Sequence, residues 1–503
     1  MAGTPDRPNV LLYVIDGAGA DYMSAYGYES DTTPRFEALA REGVLFQHAH
    51  SNSAWTKSST ASFMTSLHHS VLGGFADNND PIPDATVTMA EHFGAAGYRT
   101  AVFTTNPFAC SLSGLDRGVD MVRDNRAEHN STSSVELHRD FWAWREVAAP
   151  GPWFVHIQTT DVHEPHQPVE PFEGTVVNRA AREQFEQWWD DLHRATGPEM
   201  DTVLGRFQER MTRLGIPHKE FFETQQGLYE ETMAHADHQL GELVEQLKAR
   251  GEWEDTVLIV TSDHGHPAGS FSRFGRGLLD PAPPHWEGAL AGSYRSRVPL
   301  LIVWPAGITG NVRRADRVSL IDLLPTVLDL AGLPPATVQQ GQSLAPLLTD
   351  SEGTWSPRPI VFDQFQEHAP SGQLVGHLEM LEGRWVASLE IMPESLLPAY
   401  HEAGTSLKTA GGWRAARPHR PTTPLLLLYD VGSDPLCVRN VNADYPEKVD
   451  TYRTRLLELW EEHKALARTF ASDIGQPVTD EQLEALRVLG YIDDDTPVEP
   501  QAP

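Results

Sequence analysis

Cysteine is almost absent from the sequence, which contains only Cys110 and Cys437 among 503 residues. Two thiols cannot build the disulfide framework of a small secreted domain, although one isolated bridge stays open. The residues before Asn9 show neither the basic region nor the apolar region of a secretory signal. No apolar run approaches the roughly 20 residues that cross a bilayer. We therefore expect a cytoplasmic protein.

Positive charge is scarce as well. The chain has 39 Lys and Arg against 70 Asp and Glu, which gives a formal net charge of −31. A field of this sign repels nucleic-acid phosphates and anionic lipids, so we expect neither nucleic acid nor a membrane as a partner. A small anionic substrate would need a local positive centre, such as a metal ion, to overcome the same field. The composition leaves the oligomeric state open.

Apolar residues make up 40% of the chain, which is enough for a large buried core. Helical patterns are clearest at 33–42 and at 226–250, and the second is followed by the stop signal Gly251. Between such patterns lie short β-branched apolar runs that are typical of strands buried on both faces of a mostly parallel sheet: residues 10–15, 99–104, 153–157, 256–261 and 299–304. This alternation predicts an α/β layered fold.

The pattern changes after residue 348. Three strand-like runs at 359–365, 382–391 and 425–429 lack obvious crossover helices, and a helix is predicted at about 446–465. They predict a smaller C-terminal α/β unit that contains an antiparallel sheet. We accordingly divide the chain into three parts: a catalytic domain at 8–348 with a helical insertion at about 125–215, a C-terminal subdomain at 355–470, and a tail at 471–503.

Acidic residues directly follow two of the predicted strands. Asp16 ends the first apolar run, and Asp263 with His264 follows the run at 256–261. Open α/β sheets place their sites at the carboxyl ends of parallel strands. Carboxylate oxygen and imidazole nitrogen together suit zinc, manganese or magnesium. Either motif alone is equally consistent with a turn, and it is the repeated placement that favours a metal site.

A hydroxyl-rich segment, residues 51–66, leads into a predicted helix. Its side chains can cap the helix, and the amides at a helix start can hold an anion. A hydroxyl that is ligated to a divalent cation ionises more readily and becomes a nucleophile. Composition alone favours the simpler interpretation, in which these residues are caps and a linker.

Taken in order, these motifs resemble the sulfatase family of the alkaline phosphatase superfamily, from about residue 8 to residue 465. The resemblance implies an alkaline-phosphatase-like, mostly parallel sheet flanked by helices, and an enzyme that hydrolyses ester bonds. Besides the segments already described, it rests on these stretches: Thr33-Pro34, Leu39-Ala-Arg-Glu-Gly-Val-Leu-Phe, Arg297-Val-Pro-Leu-Leu-Ile, Asp322-Leu-Leu-Pro-Thr-Val-Leu-Asp-Leu-Ala-Gly-Leu, Gly341-Gln-Ser-Leu-Ala-Pro-Leu-Leu and Leu428-Tyr-Asp-Val-Gly-Ser-Asp-Pro.

The chain departs from that family at the nucleophile. Sulfatases carry Cys-x-Pro-Ser-Arg, whose cysteine is oxidised to formylglycine, whereas this sequence has Thr56-Lys57-Ser58-Ser59-Thr60. No formylglycine is expected, because there is no cysteine to oxidise. An unmodified threonine nucleophile is the arrangement of phosphodiesterases and phosphonate-hydrolysing enzymes of the same superfamily. The resemblance therefore implies attack by a metal-activated Thr56 on phosphorus or sulfur.

The resemblance also implies a ligand set for the metal. One divalent ion, which would be Ca, Mg, Mn or Zn, would be held by Asp16, Thr56, Asp263 and His264. Gly17 stands where the family usually has a second early acidic ligand, so the set is thinner than usual. A second ion is possible, with ligands drawn from the following residues: Asp161, His163, His166 and His285.

Further residues are assigned to the substrate by the same resemblance. Asn106, Lys57 and His163 would contact the oxygens of the reacting ester, and His163 would also be catalytic. Asn106 stands roughly where sulfatases have a lysine. His285 would protonate the leaving oxygen, which suits a histidine whose pKa lies near neutrality.

We therefore predict a sulfatase-like, metal-dependent hydrolase of phosphate or phosphonate (di)esters or of sulfate esters, with a small anionic ester as its substrate. Three alternatives stay open. The first is a true sulfatase without formylglycine, in which Ser58 or Ser59 takes the key position. The second is a sulfatase-like binding protein that has lost turnover. The third is a phosphoryl transferase of a biosynthetic pathway, which would share the mechanism.

Overall fold

The fold is taken from a computed structural model of the chain. The structure describes residues 7–73, 81–124, 133–194, 210–265, 296–349, 355–368, 373–391, 407–409, 412–414, 426–434, 437 and 439–470. None of the helices in these ranges is sufficiently long and apolar to cross a membrane. The predicted tail at 471–503 lies outside the described residues.

The main sheet carries nine strands in the described part of the chain. Their spatial order is β4-β3-β5-β1-β6-β8-β2-β7, and β9 pairs with β2, with these bounds: β1 (Asn9–Ile15), β2 (Val44–His50), β3 (Arg99–Thr104), β4 (Met121–Asp124), β5 (Trp153–Thr159), β6 (Thr256–Thr261), β7 (Arg297–Val298), β8 (Leu300–Val303) and β9 (Val312–Ser319). The block β4-β3-β5-β1-β6 is entirely parallel, and β8 is antiparallel to both β6 and β2. The predicted mostly parallel sheet is thus confirmed.

The central strands are mostly apolar because both faces of the sheet are covered. Along β1, Val10, Leu12 and Val14 pack into one hydrophobic core. The alternate residues Leu11 and Tyr13 pack into a second core on the other face. Since side chains of a strand alternate between its two faces, a continuous apolar run is what such a position requires.

The helices of the described residues differ greatly in length. Their bounds are α1 (Pro34–Ala40), α2 (Thr56–Thr65), α3 (His69–Leu72), α4 (Met89–Ala95), α5 (Ser133–Val147), α6 (Arg179–Arg194), α7 (His218–Ala249), α8 (Leu323–Leu330), α9 (Ala345–Leu348) and α10 (Pro446–Ala467). The predicted long helix is present as α7, although it begins at His218 rather than at residue 226. Its stop at Gly251 is confirmed, because that residue has φ +71°, a left-handed conformation in which glycine is not strained.

The predicted insertion at 125–215 contains α5, β5 and α6 among the described residues. Helix α6 packs against α7 through a separate apolar cluster, in which Phe185 and Leu192 meet Phe221 and Leu228. Residues 125–132 and 195–209 of the insertion lie outside the described ranges. The boundaries of the catalytic domain and of the insertion stay predictions.

The C-terminal unit contains the predicted antiparallel sheet. Its order is β10-β11-β12-β15, and a separate two-stranded pair is formed by β13 and β14, with these bounds: β10 (Ile360–His368), β11 (Gln373–Glu382), β12 (Trp385–Ile391), β13 (Leu407–Thr409), β14 (Gly412–Arg414) and β15 (Leu426–Asp430). Helix α10 covers one face, where Leu456 and Trp460 pack with Leu389 and Leu428. Most of strand β11 was missing from the sequence prediction, which began its second run at residue 382.

Candidate active site

Polar side chains converge at the carboxyl edge of the parallel strands. Asp16 follows β1 directly, Asp263 follows β6 after one residue, and Asn106 lies just beyond β3. Strand β5, which lies between β3 and β1, contributes Gln158. Because the carboxyl ends of parallel neighbours lie on one edge, residues far apart in sequence meet there. All four side chains are fully buried.

Asp16, Asp263 and His264 form the candidate metal centre. Ligand atoms of these three residues lie within 4.8 Å of one another, and no other group of three such residues was found among the described residues. The His264 Nε2 atom lies 3.8 Å from Asp16 Oδ1 and 3.7 Å from Asp263 Oδ2. Hard oxygen ligands with one imidazole fit a divalent ion. The predicted carboxylate and imidazole ligands are therefore brought together.

The electrostatics of the two acids, Asp16 and Asp263, also fit a cation. Burial raises the pKa of Asp263 above its usual value, and the negative charge of Asp16 raises it further. Two buried carboxylates disfavour each other's charged form, since neither has access to water. A divalent ion between them would remove that penalty, which is a physical reason to regard this donor set as a metal site rather than a hydrogen-bonded turn.

Thr56 lies at the start of α2, beside these ligands. Its Oγ1 atom lies 3.4 Å from Asp16 Oδ2, 3.5 Å from His264 Nε2 and 3.4 Å from Asn106 Nδ2. The side chain is fully buried, and Trp55 is the residue before the first helical turn. The partial positive charge of a helix N-terminus favours an oxyanion at this position. The predicted nucleophile and the predicted ligands thus meet in space.

Asn106 is held in a defined orientation. Its Oδ1 accepts a hydrogen bond from the Phe108 backbone N–H at 3.1 Å, so that Nδ2 is directed toward the site. From there Nδ2 donates to Asp16 Oδ2 at 2.8 Å. Asn106 is therefore a fixed donor near Thr56, and its contact with substrate stays a prediction.

Lys57 is buried directly after Thr56, and its ammonium group lies over the ring of Trp55, 5.8 Å from the ring centroid. Trp55 in turn packs edge-on against Phe108 and His69. Burial lowers the pKa of His69 to about 4, and the positive charge of Lys57 lowers it too. The predicted role of Lys57 in substrate binding is not tested by these contacts.

Asp161 and His163 follow β5 and behave differently from each other. Asp161 accepts hydrogen bonds from Ser133 Oγ at 2.9 Å and from Ser134 Oγ at 2.8 Å, and it also pairs with His235 at 3.4 Å. It thus holds the first turn of α5. This use of its lone pairs disfavours Asp161 as a ligand of a second ion.

The backbone N–H of His163 donates to the carbonyl of Thr160 at 3.0 Å, in the turn that follows β5. The Thr160 hydroxyl pairs at 2.7 Å with that of Thr105, the residue before Asn106. His166, the other candidate ligand of a second ion, is buried with its ring 5.2 Å from that of Tyr229. His285 lies outside the described residues.

Two features of the site were missed by the sequence prediction. Gln158 Nε2 donates to Asp16 Oδ2 and to Asp263 Oδ2, at 3.2 Å in each case. Gly17, which was noted only as a lost ligand, donates its backbone N–H to Asp263 Oδ1 at 3.1 Å with φ +76°. The available signal for Gln158 was a polar residue near the carboxyl end of a strand that the sequence predicts to be buried.

Comparison with known proteins agrees with this architecture. A mostly parallel sheet flanked by helices, with acid, imidazole and hydroxyl groups at its carboxyl edge, is an alkaline-phosphatase-like arrangement. A family model described as Sulfatase matches residues 8–333, and one described as N-sulphoglucosamine sulphohydrolase, C-terminal, matches residues 292–385. The chain belongs to the sulfatase family, whose members hydrolyse ester bonds.

Individual relatives are distant. An arylsulfatase of Clostridium perfringens is 22% identical over 69% of this chain and 80% of its own. Arylsulfatase K of Canis lupus familiaris is 28% identical over 88% of this chain and 81% of its own. A crystal structure of the phosphonate monoester hydrolase of Agrobacterium radiobacter has a TM-score of 0.64 at 20% identity, covering 91% of this chain and 96% of that one. The last similarity establishes a shared fold.

Proposed function

We propose that this protein hydrolyses small monoanionic esters of phosphoric, phosphonic or sulfuric acid, with Thr56 as the nucleophile. The observation that carries the proposal is the position of Thr56 Oγ1, which lies 3.4–3.5 Å from Asp16, His264 and Asn106 at the start of a helix. Relatives named arylsulfatase and phosphonate monoester hydrolase support the same range of substrates.

Asp16, Asp263 and His264 would hold a divalent ion, with Thr56 as a further oxygen ligand. Such an ion lowers the pKa of a ligated hydroxyl and neutralises anionic oxygens of the ester. The chain's own residues supply the rest. The N-terminus of α2 stabilises the Thr56 oxyanion, and Asn106 Nδ2 donates a hydrogen bond into the same space.

The reaction would proceed in two displacements. The Thr56 hydroxyl loses its proton, Oγ1 forms a bond to phosphorus or sulfur, and the bond to the leaving oxygen breaks as that oxygen takes up a proton. Water then attacks the same atom, the bond to Oγ1 breaks, and Thr56 regains its proton. A covalent intermediate of this kind divides one difficult step into two easier ones.

The charges at the site favour a substrate with one negative charge. Asp16 and Asp263 together balance a divalent ion, and Lys57 adds one positive charge directly after the nucleophile. Asn106 contributes a donor without a charge. A phosphate monoester carries about −1.5 to −2 charges near pH 7, whereas a phosphodiester, a phosphonate monoester or a sulfate ester carries one. Complementary charge therefore disfavours the phosphate monoester.

The neighbouring serines are engaged elsewhere. Ser58 Oγ pairs with Ser53 Oγ at 2.5 Å and with the Trp55 carbonyl at 3.1 Å. Ser59 Oγ donates to the Asp263 carbonyl at 2.5 Å. Both hydroxyls thus hold the backbone around the site, which favours Thr56 over either serine as the nucleophile.

The test is hydrolysis of nitrophenyl sulfate, phosphate monoester, phosphate diester and phosphonate, with Mn, Zn, Mg or Ca added. Thr56→Ala should lower turnover on the order of 10³-fold or more, as expected when a nucleophile is removed. Thr65→Ala is the matched control, because Thr65 is a buried threonine of the same helix whose hydroxyl donates to the Ala61 carbonyl. It should keep most of the activity.

Two results would contradict the proposal. Sulfate turnover that survives Thr56→Ala would move the nucleophile to Ser58 or Ser59, and the intact mass of that peptide would then reveal any oxidised residue. An absence of turnover on every ester, together with an absence of bound metal, would identify a binding protein of the same fold. Analysis of products in the presence of an alcohol would separate hydrolysis from phosphoryl transfer.

A further inference from the structure

Gln158 lies between Asp16 and Asp263, the two acidic residues of the candidate metal centre. It is fully buried in β5, the strand adjacent to β1. Its Nε2 atom lies 3.2 Å from Asp16 Oδ2 and 3.2 Å from Asp263 Oδ2. An amide NH₂ has two N–H donors, so one can be directed to each carboxylate.

Each carboxylate oxygen at this site has an identifiable set of partners. Asp263 Oδ1 accepts from the backbone N–H groups of Gly17 at 3.1 Å and His264 at 2.9 Å. Asp16 Oδ2 accepts from Asn106 at 2.8 Å and from Gln158. Asp16 Oδ1 faces His264 Nε2. Gln158 contacts both acids, as His264 Nε2 also does, and its two N–H donors connect the orientations of the two carboxylates.

The other end of the Gln158 side chain is also engaged. Its Oε1 accepts from Thr60 Oγ1 at 3.5 Å, which is a long contact. Thr60 belongs to α2, the helix that begins with Thr56. The strand, both acids and the helix of the nucleophile therefore meet at one amide. A neutral amide can do this without altering the charge of a site that must remain attractive to a cation.

We propose that Gln158 is a positioning residue that holds Asp16 and Asp263 in the arrangement in which they bind a divalent cation. This inference rests on the metal site of the proposed function. Buried carboxylates without such a donor separate to reduce their repulsion, and the cation must then restore their arrangement when it binds. When the two carboxylates are held in place before the cation binds, the cation binds more tightly. A neutral amide does this without changing the charge of the site.

The experiment measures Mn²⁺ affinity and stoichiometry by competition with a fluorescent chelator, so that it requires no substrate. Gln158→Met removes both donors at similar length and adds no charge. This variant should bind Mn²⁺ about 10- to 100-fold more weakly, the usual effect of losing a partner that orients metal ligands. Gln364→Met, a substitution of another buried glutamine in β10, should bind like the wild type.

A second readout separates positioning from a purely structural role. Saturating Mn²⁺ should raise the melting temperature of the wild type, since a ligand that binds only the folded state stabilises it. The rise should be clearly smaller for Gln158→Met at the same Mn²⁺ concentration. A structural role would lower the melting temperature with and without metal but leave the rise unchanged.

Different failures have different meanings. If the wild type binds no Mn²⁺, the proposed metal site fails first. If the wild type binds and Gln158→Met binds equally well, the positioning role is wrong.

Discussion

Two clusters in which aspartate is buried beside histidine treat the buried charge differently. The site cluster consists of Asp16, Asp263 and His264. The junction cluster, made of His68, Ser70, Asp363 and His463, joins α3 to β10 and α10 of the C-terminal unit. In both clusters the aspartates are fully buried. Only the site cluster brings three metal-ligand atoms together among the described residues.

The junction cluster is closed by internal contacts. Asp363 Oδ2 accepts from the Ser70 backbone N–H at 2.5 Å, and the Ser70 hydroxyl pairs with His463 Nδ1 at 2.5 Å. The rings of His68 and His463 stack with centroids 4.9 Å apart. Burial alone would raise the pKa of Asp363, but the nearby imidazole of His68 outweighs it and holds the pKa well below its usual value.

The difference shows what makes a buried acid available for a cation. In the junction cluster a single acid lies beside the imidazole of His68, which favours its charged form. In the site cluster two acids share one imidazole, and the pKa of Asp263 is raised, by burial first and by Asp16 second. An excess of buried negative charge is a binding site for a cation, whereas a balanced set is a structural contact.

The largest expected effect is on Mn²⁺ binding, when one aspartate of each cluster in turn is replaced by asparagine. Asp263→Asn should weaken Mn²⁺ binding by more than the roughly 100-fold that is typical of an orienting partner, because it removes a ligand charge. Asp363→Asn should leave Mn²⁺ binding unchanged. Equilibrium dialysis with elemental analysis measures both, and the distinction between the clusters is wrong if the two variants lose metal equally.

A smaller effect is expected on stability, and here it is the junction cluster that should matter. Asp363→Ala should lower the free energy of unfolding by about 1–3 kcal/mol, because the Ser70 N–H is left buried without its acceptor. Urea unfolding followed by circular dichroism measures the change, and Asp450→Ala, at an exposed position of α10, is the control. A loss no larger than that of the control would remove the structural role of the junction cluster.

The smallest expected effect is on the pH dependence of stability. Burial lowers the pKa of His463 to about 3, with the charge of His68 acting in the same direction. The unfolded chain, with a His pKa near 6.5, then binds more protons than the folded chain between about pH 6.5 and pH 3, so stability falls as the pH falls through this window. Between neutral pH and pH 5, the titration of this histidine should lower the free energy of unfolding by about 2 kcal/mol.

His463→Asn tests this pH effect. Asparagine keeps an acceptor that can reach the Ser70 hydroxyl but does not titrate, so urea unfolding at pH 7, 6 and 5 should show a shallower loss of stability than in the wild type. His238→Asn is a control, because His238 lies on the partly exposed side of α7. Equal slopes for His463→Asn and the wild type would contradict the effect.

The two clusters also differ in how far the sequence predicted them. Asp16, Asp263 and His264 were predicted because each follows an apolar run, and strands of that kind end at a common edge. The junction cluster was not predicted, because its members come from α3, β10 and α10, whose packing no local pattern specifies. Asn52 illustrates the same limit, since its amide donates to the Val361 carbonyl at 2.8 Å across 309 positions of sequence.

The strands themselves divide in a similar way. The central strands β1, β3, β5 and β6 were predicted, because burial on both faces demands an unbroken apolar run. Strand β9 was missed, since its first six residues are all partly or fully exposed and its sequence, VRRADRVS, is mostly polar. Such a strand exists because β2 offers it backbone partners, not because of its own composition.

The sequence by itself determined the α/β layering, the strand ends that carry acid and imidazole, and the threonine in place of the usual cysteine. These are local properties, set by side-chain periodicity and by residue identity. Only the tertiary structure decided that Gln158 connects two acids that lie 142 and 105 positions away, and that Asp363 has the imidazole of His68 beside it while Asp16 and Asp263 lie beside each other. Hydrogen bonds and Coulomb interactions act over a few ångströms in space, and separation along the chain does not enter them.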